Sequence, residues 1–170
     1  FVFLVVDGGG VVCTCFGGVG FACRDGCVKV VSYRRNVGKG FALRTGFLRA
    51  SGDAVVFVDS DLDVDVGEVG RYVEALRWGD VVVGSKVHRD SVVVVPLVRR
   101  VLSFGFNVLV RLFTGVGLRD TQTGLKAIRR SALLEVFPRL SVKRYAFDVE
   151  LLAVARLLGL RVVELPVHVR

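Results

Sequence analysis

No methionine occurs in the chain; tryptophan occurs once, histidine twice and proline three times. His88 and His168 stand apart from each other, and neither has a partner pattern for nucleophilic catalysis or metal binding. No Ser/His/Asp arrangement is present either. Cysteine is confined to Cys13, Cys15, Cys23 and Cys27. No disulfide framework can therefore span the fold, and the CxC and CxxxC spacings do not match a standard zinc pattern. Free thiols in a reducing compartment are expected. No apolar run reaches the roughly 18–20 residues of a spanning helix. The nearest, Val92–Phe113, is interrupted by Arg99, Arg100 and Arg111. No signal-peptide pattern is visible. The GxxxxGK[ST] spacing of a P-loop is absent, as are internal repeats and linkers.

Acidic residues are the scarcer charge, 16 against 24 basic ones, for a formal charge of +8. Such a balance points to anionic partners: nucleic acid, phosphate-bearing small molecules or an anionic membrane surface. Nucleic acid is not expected, because no recognition module or aromatic-rich stacking surface accompanies the charge.

With 52% apolar residues in 170, the chain can bury a sizeable core, and its length suits a single domain over 1–170. It opens on the apolar run Phe1–Val6 rather than on methionine. It is expected to be truncated at the N-terminus, and the C-terminus is in question too.

Short β-branched runs end in turn residues at Phe1–Val6, Val28–Ser32, Ala54–Val58, Asp80–Gly84 and Arg161–Leu165, and each reads as a strand. Helices are predicted over Gly38–Ala50, Val66–Trp78, Pro96–Phe113, from Ser131 (as N-cap) through Pro138, and over Ala146–Leu158. Gly8–Gly26 has no steady period. Alternating strands and helices argue for an α/β fold with a mostly parallel central sheet flanked by helices. Ligands then bind beyond the carboxyl ends of the strands. Asp7, Asn36, Asp59–Asp63 and Lys86 all fall just after strands.

Asp59, Asp61 and Asp63 carry the strongest signal. Three carboxylates in five residues repel one another unless a cation or solvent offsets them. They follow a continuously apolar strand, where an idle acidic cluster is poorly placed. A hard divalent ion takes such oxygen ligands and bridges them to a diphosphate; a solvated acidic turn is the competing reading. Asn36-Val37-Gly38-Lys39-Gly40, with Arg44, offers glycines for close backbone approach and a helix start for an anion, although a plain helix-start turn explains it almost as well. Asp120-Thr121-Gln122-Thr123-Gly124-Leu125-Lys126 is a polar loop between apolar elements. Asp148 and Glu150 open an apolar helix, where acids are ordinary dipole partners.

These segments together resemble family 2 glycosyltransferases of the GT-A fold, nearest to the dolichyl-phosphate and polyprenyl-phosphate glucosyl- and mannosyltransferases. The resemblance runs through Val5-Val6-Asp7-Gly8-Gly9, Asn36–Ala42, Ala50-Ser51-Gly52-Asp53, Asp59-Ser60-Asp61, Gly84-Ser85-Lys86, Arg99-Arg100 with Ser103 and Asn107, Asp120–Lys126 and Phe147–Leu152. The DTQTGxK and FDVELL segments favour the lipid-phosphate branch over processive polysaccharide synthases.

The resemblance implies an inverting transferase that moves glucose or mannose from UDP-glucose or GDP-mannose to dolichyl or polyprenyl phosphate. It would work with Mg²⁺ or Mn²⁺, peripherally, at the cytoplasmic face of a membrane. It implies donor binding by Asp7, Asn36, Lys39, Asp59 and Asp61, and metal binding by Asp59, Asp61 and Asp63. Lys86, Arg99, Ser103 and Gln122 would receive the acceptor phosphate, and Asp148, Lys86 and Arg99 would be catalytic. Asp148 falls where sugar-to-hydroxyl members keep their base.

Three departures stand out. Gly8 replaces the second acid of the family's Asp-Asp-Gly-Ser, Lys86 stands where Arg is common, and the family's first strand, with its Pro-x-Tyr-Asn-Glu signature, would lie before Phe1. An inactive or truncated nucleotide-binding relative is the alternative. The Pro96 helix, basic and apolar, suits a bilayer interface or a core position with exposed arginines.

Overall fold

A computed structural model describes residues 3–7, 28–32, 37–58, 65–86, 88–93, 105, 123–142 and 146–169. The expected helix over Pro96–Phe113 lies outside the described residues except for Gly105, which is helical. The segment Gly8–Gly26, with its four cysteines, also lies outside them.

Strands β1 (Phe3–Asp7) and β2 (Val28–Ser32) pair in parallel, from Phe3 opposite Val28 to Asp7 opposite Ser32. Helix α1 (Lys39–Phe47) follows and lies against β1. The main sheet holds β3 (Ala54–Val58), β4 (Val81–Ser85), β6 (Leu125–Arg129) and β7 (Val162–Pro166), in the order β3-β6-β4-β7. A short parallel pair, β5 (Val92–Val93) with β8 (His168–Val169), was not legible in the sequence. Three of the four main strands run the same way. β6 runs against both its neighbours, so the sheet is mixed.

That reversal positions the site. Because β6 is antiparallel, its first residue Leu125 sits opposite Val58, the last residue of β3, and Lys126 sits opposite Val83 in β4. The Thr123–Lys126 segment therefore meets the edge at which Asp59 and Lys86 follow their strands.

Side-chain alternation sorts the sheet residues to two faces. Val82, Leu125 and Ala127 pack with Tyr72 and Leu76 of the Val69–Ala75 helix, α2, and its C-cap. Val55, Val81, Val83 and Ile128 pack under α3 (Arg130–Val136) and α4 (Phe147–Leu157). Lys126 alternates with Ile128, so strand geometry turns it toward the α4 side.

Helix α4 buries Phe147, Asp148, Leu151, Leu152 and Ala155. This is an i, i+1, i+4, i+5, i+8 stripe of helical period, with a carboxylate in it. The helix ends in a Schellman turn: Gly159 takes φ +74° and donates to the Arg156 carbonyl at 2.9 Å, and Leu160 donates to that of Ala155 at 3.0 Å.

Ser131 does not cap α3. The cap position is Arg129, with extended backbone and no side-chain cap, and Ser131 lies exposed inside the first turn. The two arginines fix the start instead. Arg129 Nε donates to the carbonyls of Leu76 (2.9 Å) and Gly79 (3.2 Å). The Arg130 N–H donates to the Asp53 carbonyl at 2.7 Å, and its guanidinium to that of Ala50.

Gly84 is a close-approach glycine at the end of β4. A Cβ there would stand 2.7 Å from Thr123 Cγ2 and 2.9 Å from the Tyr72 hydroxyl. Gly84→Ala is expected to cost about 1–3 kcal/mol by overpacking, read as a lower midpoint in urea at unchanged m-value.

Candidate functional site

The site is built where three elements converge. Gly38 takes φ 110°, a conformation that side chains resist, and caps α1. Lys39, the first residue of that helix, reaches Asp148 at the start of α4, with Nζ 2.8 Å from Oδ2. Lys126 approaches from the sheet below, with Nζ 2.9 Å from Asp148 Oδ1. The same ammonium donates to the Thr123 carbonyl at 2.5 Å. Each carboxylate oxygen thus holds one lysine.

The cluster is deeply set. Lys126 is 2% exposed, Asp148 7%, and Thr123 is fully buried. Burial alone would raise the Asp148 carboxyl, but the charges and hydrogen bonds of Lys126 and then Lys39 outweigh it and hold it below the ordinary 3.8. Asp148 is therefore an anion throughout the neutral range and a poor proton acceptor. One carboxylate between two ammonium groups leaves a net positive charge, an environment suited to phosphate.

Glu150, two residues further along the helix, is different. It accepts from the Ser141 N–H (2.9 Å), the Ser141 hydroxyl (2.7 Å) and the Val142 N–H (2.9 Å). Partial burial works to raise its carboxyl, yet these bonds hold it below the usual range. It ties the chain entering α4 and has no place in the Asp148 cluster.

Ser85 closes β4, and Lys86 follows it in a turn. The Ser85 carbonyl accepts from the His88 N–H (3.2 Å) and from the Ser91 hydroxyl (2.5 Å), and Ser91 Oγ accepts from the Val167 N–H at 3.0 Å. The turn that carries Lys86 is thereby fixed to the junction of β7 and β8. His168 Nδ1 lies 2.5 Å from Glu68 Oε1, and His88 Nδ1 accepts from the Asp90 N–H at 3.3 Å. Both histidines thus have local partners.

Of the sequence-predicted residues, Lys39 and Asp148 are in contact and Lys86 stands just after β4. Asp7 ends β1, one residue later than expected for that strand. Asn36, Asp59, Asp61, Asp63, Arg99, Ser103 and Gln122 lie outside the described residues. Among the described residues no group of three or more His, Cys, Asp or Glu side chains is placed to hold a metal ion. Lys126 was missed. Its signal was a lysine inside the otherwise buried strand Leu125–Arg129, where a charge needs a partner. A cavity of about 590 Å³ opens at the opposite edge of the sheet, between Asp53, Ala54, Arg77 and Arg129.

The sequence model of glycosyl transferase family 2 matches residues 19–137, well over half of the chain. The chain belongs to glycosyl transferase family 2. Within the family it is similar to the dolichyl-phosphate beta-glucosyltransferase of Drosophila melanogaster, with 36% identity covering 97% of this chain and 54% of that protein. It is 32% identical to the human protein of the same name, over 83% and 46%. The glycosyltransferase AglD of Haloferax volcanii is 38% identical over 77% of this chain and 21% of that protein. The chain thus spans about half the length of the dolichyl-phosphate relatives it matches. Among solved structures, glucosyl-3-phosphoglycerate synthase of Mycobacterium tuberculosis superposes with a TM-score of 0.67 at 22% identity, covering 99% of this chain and 60% of that one. The fold of this family 2 chain is GT-A. No helix among its described residues is long and apolar enough to cross a membrane.

Proposed function

We propose that this family 2 chain transfers glucose from UDP-glucose to a polyprenyl or dolichyl phosphate, with inversion, at a membrane surface. The observation that carries this reading is Asp148 held between Lys39 and Lys126, a buried, net-positive cluster with no group among the described residues poised to accept a proton. The names of the dolichyl-phosphate relatives favour glucose over mannose, as does a UDP-glucose complex of the mycobacterial enzyme.

The chemistry needs no base. A phosphate monoester has its second pKa near ~6 and is mostly dianionic at pH 7. One of its oxygens forms the new bond to the anomeric carbon. The bond from that carbon to the diphosphate breaks, and the nucleoside diphosphate leaves with the electron pair. Lys39 meets the diphosphate at the start of α1, with Asn36 also in the donor site and Asp7 toward the nucleoside. Lys86 and Arg99, with Ser103 and Gln122, receive the acceptor phosphate.

The donor set Asp59, Asp61 and Asp63, all carboxylate oxygens, fits a hard divalent cation, Mg²⁺ or Mn²⁺. Such an ion neutralises charge on a departing diphosphate. The basic, apolar segment Pro96–Phe113 suits contact with the lipid surface.

A panel of UDP-glucose and GDP-mannose against polyprenyl phosphate, with Mn²⁺, tests the reading. UDP-glucose is expected to be used. Calorimetric binding of UDP with no transfer from any donor would instead mark a nucleotide-binding relative. Arg99→Ala is expected to raise the acceptor KM by roughly 10-fold or more, the loss of one charge-assisted hydrogen bond. The donor KM should stay within about twofold; equal losses for both substrates would remove Arg99 from the acceptor site.

A further inference from the structure

We propose that Lys126 is a positioning residue for sugar transfer: it fixes Asp148 so that the second carboxylate oxygen holds Lys39 at the start of α1. In this arrangement Asp148 orients a cation rather than taking a proton. The inference rests on the transferase reading above, with Lys39 toward the donor diphosphate.

The geometry supports it in three ways. Lys126 lies inside β6, 2% exposed, and is built into the sheet between Phe57 and Val83, so it is a fixed support rather than a mobile ligand. Its ammonium bridges Asp148 Oδ1 and the Thr123 carbonyl, tying α4 to the residues that lead into β6. Lys39 meets the other oxygen, Oδ2, and is the more exposed of the two lysines, 23% against 2%. A substrate anion therefore reaches Lys39 before Lys126. Among the described residues, the charged groups that meet Asp148 are Lys39 from α1 and Lys126 from β6. Glu150, on its own helix, is turned to Ser141 and Val142.

A purely structural ion pair makes a different prediction. Buried pairs are often replaceable by apolar or neutral groups without functional loss. Positioning of Lys39 requires the charge on Asp148, and a misplacement of about 1 Å costs about 10²-fold in rate.

The test uses the full chain, UDP-glucose with Mn²⁺ and polyprenyl phosphate, between pH 5 and 8. It compares wild type, Lys126→Met and the charge-balanced Lys126→Met/Asp148→Asn. Lys126→Met is expected to lower donor kcat/KM by about 10²-fold, to leave acceptor KM within about twofold, and to introduce an acid limb that wild type lacks. The double variant is expected to regain the wild-type melting temperature without regaining kcat/KM.

Recovery of both by the double variant, or a wild-type pH profile in Lys126→Met, overturns the proposal. Should Lys126→Met not fold, the double variant decides. Should neither fold, Lys126→Arg, which keeps the charge, decides: a lowered donor kcat/KM at a wild-type melting temperature supports the proposal, and a lowered melting temperature at wild-type kcat/KM overturns it. Wild type that transfers no sugar from any donor would sink the functional reading itself, a separate outcome.

Discussion

Asp61→Ala is expected to abolish sugar transfer, with kcat/KM falling about 10³-fold or more, while the melting temperature stays within a few degrees of wild type. The expectation comes from charge. Asp59, Asp61 and Asp63 follow the apolar strand Ala54–Val58, and carboxylates so close repel one another unless a cation or solvent offsets them; the proposed divalent ion is that cation. A metal that neutralises a leaving diphosphate supplies several kcal/mol to the transition state, and each ~1.4 kcal/mol is tenfold in rate. Removing one crowded carboxylate also relieves repulsion, so the fold should not suffer. Steady-state kinetics across a Mn²⁺ titration, with a thermal melt alongside, measures both. Transfer at near wild-type rates in the purified variant would overturn the proposed metal role of Asp61.

Asp148→Asn is expected to damage both stability and activity, the larger structural effect of the two. It strips the counter-charge from Lys126 and Lys39 while keeping the shape. Breaking a buried ion pair by removing one partner costs about 3–5 kcal/mol. In a chain of this size that is a fall of roughly 10 °C in melting temperature, at about 2–4 °C per kcal/mol. The pH dependence has a definite sign. The folded-state carboxyl of Asp148 lies below its ordinary value of 3.8, so its stabilisation is fully present above that value and drains away as pH falls through the lower folded one. Wild type should therefore lose this contribution only in acid, and the deficit of Asp148→Asn should be constant from pH 6 to 8 and shrink below about pH 4. Equal melting temperatures at neutral pH would mean that the two lysines are compensated elsewhere.

The strands β1 to β4 and β7 were legible because short β-branched runs end in turn residues, and the structure moves their bounds by no more than about two residues. Helix α4 was legible from its period. Three features were not. The pair β5 and β8 is two residues long in each strand, too short for any periodicity. The start of α3 looked like a serine cap, but Arg129 and Arg130 bond to carbonyls from Ala50, Leu76 and Gly79, distant in sequence. Asp148 resembled an ordinary first-turn acid, although its place on the apolar stripe of α4 set it apart.

By itself the sequence determined the family, the α/β class, the acidic run after β3 and the order of the motifs along the chain. Those depend on local pattern: apolar periods, turn residues and charges close in sequence. Only the tertiary structure decided that Asp148 is an ion-paired hub. That follows from β6 entering antiparallel between β3 and β4, which brings Lys126 under α4, and from α1 carrying Lys39 across a separation of 109 residues. Pairing between charges so far apart depends on strand direction and helix placement, which no local pattern encodes.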